Sequence, residues 1–402
     1  MMEAQIIIGK NFGDEGKGLA TDYFARQAQQ SGKPCLVVRH NGGAQAGHTV
    51  DRGTDRFVFH QLSSGSFRGA DTLWADSFLP DLYKLREEAE NFFALSGKRP
   101  HILSGGDCRC VVIDDVLFNM ALETARGKNR HGSCGMGINE AVQRSKTAFL
   151  LTLREVRGMT ADALYRRLRE IRSGYTAVRL KQTGLDRLDS EYTSLLRNDN
   201  VLRNAAEGMC RSAALTETPA PSELSTFESV IFEGAQGLLL DENYLAYAPH
   251  LTTSRTGLQQ PLALCRELFP AADCRAVYVT RTYVTRHGAG PLPYEGQFDR
   301  TRYPVSDPTN LPNEWQGSLR FAPHGNRREF LDPVLADKGS AGVACSLFLT
   351  HLNETAGCVV TAGGALPLAQ WADAYRIFSC FDNVFLSASP FSRDVTLRSD
   401  FL

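Results

Sequence analysis

The 402-residue chain has no run of eighteen apolar residues, which leaves no candidate membrane-spanning helix. Charge of one sign is also missing: 44 Lys and Arg face 45 Asp and Glu, a net charge of -1. Such balance excludes a general electrostatic attraction to nucleic acid or to an anionic membrane. Ten cysteines are present, yet none forms a C-x-x-C pair. That excludes the ligand spacing of a zinc ribbon, and the scattered thiols read as buried and reduced. Cys108 and Cys110 alternate in sequence and are expected on one face of a strand. There is no internal repeat and no low-complexity tract. The first residues lack a signal-peptide pattern, because a short apolar run is followed at once by Lys10, Asp14, Glu15 and Lys17. The expectation is a cytoplasmic protein without membrane or nucleic-acid partners.

What the chain does have is an ordinary apolar fraction of 43% and enough length for a large core. Apolar runs recur between turn signals at 36–39, 72–74, 101–103, 111–113, 229–232, 276–279, 346–349 and 383–386, and all read as strands. Several lack alternation, as strands covered on both faces do. Helical patterns lie between them, for example 81–93 and 161–171, the second with Thr160 as N-cap. Strands alternating with helices predict an α/β fold with a large, mostly parallel central sheet and surrounding helices. Residues 212–226 read as a loop, and 303–326 are rich in Pro, Asn and Gly. Neither breaks the chain, so residues 1–402 are expected to form a single domain.

The chemistry concentrates in glycine-rich loops that follow strands. Residues 9–18 read Gly-Lys-Asn-Phe-Gly-Asp-Glu-Gly-Lys-Gly, after Ile6-Ile7-Ile8 and before a helical pattern. A strand–loop–helix turn of this kind cradles phosphate with its amides and the helix N-terminus. It is P-loop-like but not a Walker A motif, since Asn11 and Gly18 stand where that motif has Gly and Ser or Thr. Asp14 and Glu15 would repel a phosphate, so they point to a metal ion or to proton transfer at the same spot. Residues 39–49, Arg-His-Asn-Gly-Gly-Ala-Gln-Ala-Gly-His-Thr, place His48 between Gly47 and Thr49, a setting suited to acid catalysis. Residues 232–237 (Phe-Glu-Gly-Ala-Gln-Gly), 251–257 (Leu-Thr-Thr-Ser-Arg-Thr-Gly) and 281–291 (Arg-Thr-Tyr-Val-Thr-Arg-His-Gly-Ala-Gly-Pro) are further loops of this kind. Ligands of open α/β sheets sit at the carboxyl ends of strands, so these loops describe one large polar site.

In this order, the motifs at 13–18, 41–49, 232–237 and 285–291 resemble adenylosuccinate synthetase, with weaker likeness at 60–65 and 132–137. The resemblance implies a C–N bond-forming ligase. Such enzymes phosphorylate the 6-oxo group of a purine nucleotide, usually IMP, with a nucleoside triphosphate, usually GTP, and condense it with L-aspartate to adenylosuccinate. It implies Asp14 as the base that takes the N1 proton and as a Mg²⁺ ligand with Gly47. It implies His48 as the acid that supports the γ-phosphoryl group. Gly13, Glu15, Gly16, Lys17, Gly18, Gly47, Thr49, Asn353 and Ser387 fall at nucleotide- and phosphate-binding positions. Asn41, Gln45, Ser133, Cys134, Arg144, Gln236, Thr252, Arg327 and Arg328 fall at substrate-binding ones. The family also implies a homodimer, with Arg144 near the region where a partner's arginine completes the site.

Four departures qualify the likeness. Gln45 replaces the usual Asn. Phe321-Ala-Pro-His-Gly-Asn-Arg-Arg328 replaces the threonine- and arginine-rich loop that binds aspartate. Thr350-His-Leu-Asn353 ends in Asn where an aspartate reads guanine, which weakens GTP preference by roughly 1–3 kcal/mol and admits ATP. Ser387-Ala-Ser-Pro390 carries Ser389 where the family has Gly beside the same base. The alternative reading is a sibling ligase with the same activation step but a different amine or acceptor, such as dGMP, using ATP. A third is a non-catalytic nucleotide-binding protein, which would lose nothing when Asp14 becomes Asn. Deoxyguanylate-acting relatives typically lack the first-loop aspartate, so Asp14 favours a standard 6-oxopurine.

Overall fold

The computed structural model describes residues 2–127, 133–305, 307, 309–310 and 316–399. Its centre is a ten-stranded sheet. In chain order the strands are β1 (Glu3–Gly9), β2 (Cys35–Arg39), β3 (Asp71–Trp74), β4 (Ile102–Ser104) and β5 (Thr216–Glu217). They continue with β6 (Ser229–Gly237), β7 (Asp273–Arg281), β8 (Ala344–Thr350), β9 (Asn383–Leu386) and β10 (Thr396–Arg398). The spatial order is β10-β9-β8-β7-β1-β6-β2-β3-β4-β5, parallel throughout except for the antiparallel edge strand β10.

The central strands are apolar on both faces because both are covered. Ile6 and Ile8 of β1 pack with Leu262, Phe330 and Trp371 from the helices Gln259–Leu268, Arg327–Lys338 and Leu368–Tyr375. Ile7 points the other way, onto Ala20 and Tyr23 of the helix Lys17–Gln30. Each such fully buried side chain contributes about 1.5–3 kcal/mol. A second helical core, with Leu82, Leu164 and Leu202, packs beside the β3–β4 end of the sheet. Among the described residues no helix is long and apolar enough to cross a membrane.

The helices Leu82–Ser96 and Ala161–Ile171 form as expected, and the Thr160 hydroxyl accepts from the Ala163 amide. Residues 111–113 are not a strand. The Asp115 carboxylate accepts from the Val112 amide at 3.0 Å and starts the helix Ile113–Arg126 there, a local cap that overrides the β-branched run. Cys108 and Cys110 are both fully buried in the second core, but on an irregular segment rather than a strand. The 212–226 stretch also holds more order than expected: the edge strand β5 and the helical turn Pro221–Leu224. Because every strand but β10 runs the same way, the loops after β1, β2, β6, β7, β8 and β9 all emerge at one edge of the sheet.

Candidate active site

The loop after β1 is tightly nested. Gly9 pairs with Gly237 of β6 and Val279 of β7, and a Cβ there would lie 2.5 Å from the Gln236 carbonyl oxygen. Glu15 is folded inward. Its Oε1 accepts from the Asn11 and Gly13 amides at 3.0 and 2.9 Å, and its Oε2 meets Lys17 Nζ at 3.1 Å. The Glu15 carboxylate therefore braces the loop and is not free to face an anion. The helix Lys17–Gln30 opens behind Gly16 with no acidic residue in its first turn, so its N-terminus presents positive potential. Gly18 lets the His48 hairpin approach, because a Cβ there would lie 2.9 Å from the Thr49 carbonyl oxygen.

Asp14 is treated differently from Glu15. It is held at φ 47°, a left-handed conformation that Asp tolerates better than most residues. Its carbonyl accepts from Arg281 Nε at 2.6 Å, and the residue lines the cleft wall. Gln236, at φ 65°, is a second left-handed residue lining the same cleft. Non-glycine residues held in this region cluster at functional sites.

His48 faces them from the strand His48–Arg52. Its Nδ1 lies 2.8 Å from Glu233 Oε1 on β6, while Nε2 has no hydrogen-bond partner among the described residues. Glu233 is fully buried and also accepts from the Ser64 amide at 3.2 Å and from the Ser64 hydroxyl. The Arg39 guanidinium lies 3.8 Å away. Burial alone would raise the Glu233 carboxyl, but His48 and Arg39 outweigh it and hold it down at about 2. Burial lowers His48 to about 4, against the pull of Glu233. The pair is thus carboxylate and neutral imidazole. Nδ1–H donates to Glu233, and the open nitrogen is Nε2.

Asp14, His48 and Gln236 line a cleft of about 740 Å³. Gly13, Lys17, Gln45, Gly47, Ser133, Cys134 and Thr252 line it too. Ser133 donates to Asn119 Oδ1 at 2.8 Å; Gly132 lies outside the described residues. Thr49 follows His48 and bonds Thr309 Oγ1 at 3.0 Å. The loops carrying Asn353 and Ser387 adjoin one another through the Leu352 amide and the Ser387 carbonyl, 3.1 Å apart. They also abut the first loop, because Thr350 Oγ1 donates to the Glu15 carbonyl at 2.8 Å. Asn353 is exposed, and the buried Ser387 hydroxyl is turned onto the Ser389 carbonyl at 2.6 Å.

Four expected substrate ligands are placed elsewhere. Asn41 is buried, and its side chain is used up as a clamp: Oδ1 accepts from the Ala235 amide, and Nδ2 donates to the Ala235 and Arg255 carbonyls. Arg144 is also fully buried. It grips Asp115 and the carbonyls of Cys110 and Phe149, so within this chain its guanidinium is committed to the fold. Arg327 and Arg328 are exposed in the first turn of the helix Arg327–Lys338, away from the cleft wall. Asn326 and Glu329 form a capping box that starts the helix there, and Arg327 Nε donates to the Tyr375 carbonyl at 3.1 Å.

Among the described residues no three His, Cys, Asp or Glu side chains converge into a metal cage. The donors present still suit Mg²⁺, which binds through one or two carboxylates plus waters and substrate phosphates. Asp14, for whose carboxylate no hydrogen bond or ion pair is seen among the described residues, and Gly47 on the same cleft fit that pattern. Glu233, Ser64, Arg39 and Arg281 were not anticipated as site residues. One signal for Glu233 was present: a carboxylate inside an otherwise apolar, doubly covered strand is rarely there without a partner.

The sequence model of the family described as Adenylosuccinate synthetase matches residues 6–307. An adenylosuccinate synthetase of Clostridium botulinum (strain Eklund 17B / Type B) is 30% identical over 302 residues, 73% of this chain and 66% of that protein. One of Clostridium perfringens (strain 13 / Type A) is 29% identical over 303 residues, with the same shares of 73% and 66%. The chain thus spans 66% of the length of these curated relatives. Among solved structures, the fully ligated adenylosuccinate synthetase from Plasmodium falciparum superposes with a TM-score of 0.69 at 15% identity, covering 98% of this chain and 99% of that one. The cyanophage S-2L succinoaminodeoxyadenylate synthetase, bound to dGMP and dATP as an energy donor, superposes at 0.59 with 14% identity, covering 98% and 95%. At these identities the two structures establish the fold. The family match ends at residue 307, before the divergent loops at 321–328, 350–353 and 387–390.

Proposed function

This chain belongs to the adenylosuccinate synthetase family, and on that premise we propose that it is a C–N bond-forming ligase acting on a 6-oxopurine nucleotide in the cytoplasm. It activates O6 with a nucleoside triphosphate and then condenses C6 with an amine, IMP and L-aspartate being the first assignment. The observation that carries this reading is the contrast within the first loop: the Glu15 carboxylate is bound by the loop's own amides and Lys17, whereas Asp14 is held in a left-handed turn on the cleft wall.

The chain's own groups divide the work. Asp14 takes the N1 proton, which makes O6 nucleophilic toward the γ-phosphorus. Lys17 and the helix N-terminus bind the phosphate chain, and Gln236, Gln45 and Thr252 orient the purine nucleotide on the cleft wall. His48, fixed in its tautomer by Glu233, supports the γ-phosphoryl group and the departing bridge oxygen through Nε2. A phosphoryl anion at Nε2 raises the imidazole from its value of about 4, because a nearby negative charge favours the protonated form. Asp14 and Gly47 would hold Mg²⁺, which supplies charge neutralisation for the phosphates. In the second step the amine attacks C6, and O6 leaves with the phosphoryl group as inorganic phosphate.

A second reading keeps the same activation but uses ATP with another acceptor or amine. It is favoured by the exposed Asn353, by Ser389, and by the helical seat of Arg327 and Arg328. The likeness to a synthetase bound to dGMP and dATP points the same way. A matrix of phosphate-release assays, GTP or ATP against IMP, GMP and dGMP, each with and without aspartate, separates the two. Release that needs both IMP and aspartate supports the first assignment. Release with another acceptor or amine supports the second, and no release in any combination overturns both.

A further inference from the structure

Arg281 ends β7 beside the first loop, and the proposed reaction leaves it without a role. It is buried, and each arm of its guanidinium is engaged. Nε donates to the Asp14 carbonyl at 2.6 Å, Nη1 to the Tyr283 hydroxyl at 3.1 Å and Nη2 to Asp307 Oδ2 at 2.6 Å. The main chain is fixed as well. The Arg281 carbonyl accepts from His324 Nε2 at 2.9 Å, and the Thr282 amide donates to the Thr350 carbonyl at 3.1 Å. Asp307 extends the chain of contacts: its Oδ1 accepts from the Thr309 and Asn310 amides at 3.0 Å, and Thr309 Oγ1 lies 3.0 Å from Thr49 Oγ1, beside His48. Burial would raise the Asp307 carboxyl, but Arg281 outweighs it and holds it well below the usual carboxylate range. A planar guanidinium offers its donors in a fixed fork, so it can set the spacing of what it holds.

The turn that Arg281 grips needs such support. Gly13 and Gly16 flank Asp14 and Glu15 at φ 103° and 99°, and glycine restrains a turn poorly. Asp14 itself is left-handed, a conformation that a residue with a side chain keeps only where its surroundings over-determine it. Glu15 is held by its carboxylate and by Thr350 Oγ1 on its carbonyl. Asp14 is held by Arg281, through a charge-assisted hydrogen bond. We propose that Arg281 is a positioning residue for the assigned base: its bond to the Asp14 carbonyl sets the left-handed turn that presents Asp14 to the purine, and its ion pair with Asp307 ties that turn to the strand of His48, so that base and acid keep one spacing. This rests on the reading of Asp14 as the base.

A double-mutant cycle in the phosphate-release assay, with the substrates that the assay matrix selects, reads this directly. Arg281→Met is expected to lower the turnover number roughly 10–10²-fold, since a shift of about 1 Å at a reacting group is enough for such a loss. KM for the purine nucleotide should stay within about threefold of wild type. In the Asp14→Asn background the same substitution should cost less than about twofold, because no base is left to position. Should Arg281→Met fail to fold, Arg281→Lys goes through the same cycle. It keeps the charge beside Asp307 but loses the fixed fork, and is expected to lower turnover in the wild-type background and not in Asp14→Asn. An equal loss in both backgrounds, as a purely structural role would give, overturns the proposal, and so does an Arg281→Met variant as active as wild type. If Asp14→Asn is impaired and the losses are equal, the base assignment stands and Arg281 alone falls. If Asp14→Asn turns over like wild type, or the wild-type protein releases no phosphate in any combination, the reading beneath the proposal falls and takes it along.

Discussion

Glu233→Gln changes one group in the most enclosed part of the site. The carboxylate is fully buried, 2.8 Å from His48 Nδ1, 3.2 Å from the Ser64 amide and 3.8 Å from Arg39 Nε. Glutamine keeps the size and one acceptor oxygen, so the ring can stay in place. The negative charge is lost, with two consequences. Arg39, itself fully buried, is left without its carboxylate, and such a loss costs roughly 3 kcal/mol of folding stability. His48, already lowered to about 4 by burial, loses the charge that pulls it up, so less imidazolium is available to the phosphoryl group at any pH. The turnover number is expected to fall roughly 10²–10³-fold, within the range of a lost general acid. KM for the purine nucleotide should change little, because Glu233 lies behind His48 and does not line the cleft. Steady-state phosphate release gives the first pair of quantities, and urea unfolding gives the second. A folded Glu233→Gln variant with a turnover number within about threefold of wild type would falsify the proposed role of the pair.

Asp14→Asn should lose roughly 10²–10⁴-fold in turnover while changing stability by less than about 0.5 kcal/mol, since Asn also tolerates φ 47°; unchanged turnover would remove the assigned base. Arg144→Met should cost roughly 3–5 kcal/mol of stability by stranding the buried Asp115, whereas a stable variant with a greatly raised nucleotide KM would return Arg144 to the site. Asp81 is raised to about 6 from 3.8 by burial, so the folded state binds more protons between those values and the wild-type protein loses stability as pH rises through that window. Asp81→Asn keeps an oxygen acceptor for the Tyr83 and Lys84 amides, and should gain about 2 kcal/mol over wild type between pH 4 and pH 7. Denaturant titrations at the two pH values check this, and a gain that does not grow with pH would contradict it.

The sheet was legible because its strands are short, β-branched and covered on both faces, as at Ile6–Ile8 and Ala276–Val279. The run 111–113 has the same composition, and only the back-bonding carboxylate of Asp115 distinguishes it. In the site, the glycine loops at strand ends pointed to one cleft, and Asp14, His48, Lys17 and Gln236 all line it. Long-range commitments of polar groups were invisible. Asn41 sits in a glycine-rich loop like any ligand, yet Ala235 and Arg255 use up its amide from across the fold. Arg144 was assigned by proximity to a motif, and its partner Asp115 lies 29 residues away in sequence. Arg327 and Arg328 could have been placed from Asn326 and Glu329, whose spacing is a helix-start signal that the charge pair obscured.

The most direct test of the account follows the 6-oxygen itself. A purine nucleotide carrying ¹⁸O at C6 is incubated with triphosphate, Mg²⁺ and amine, using the combination that the assay matrix selects, and the released phosphate is weighed by mass spectrometry. Every phosphate released is expected to carry the label, because O6 leaves C6 as part of the phosphoryl group. Unlabelled phosphate, with the heavy oxygen still on the purine, would contradict it.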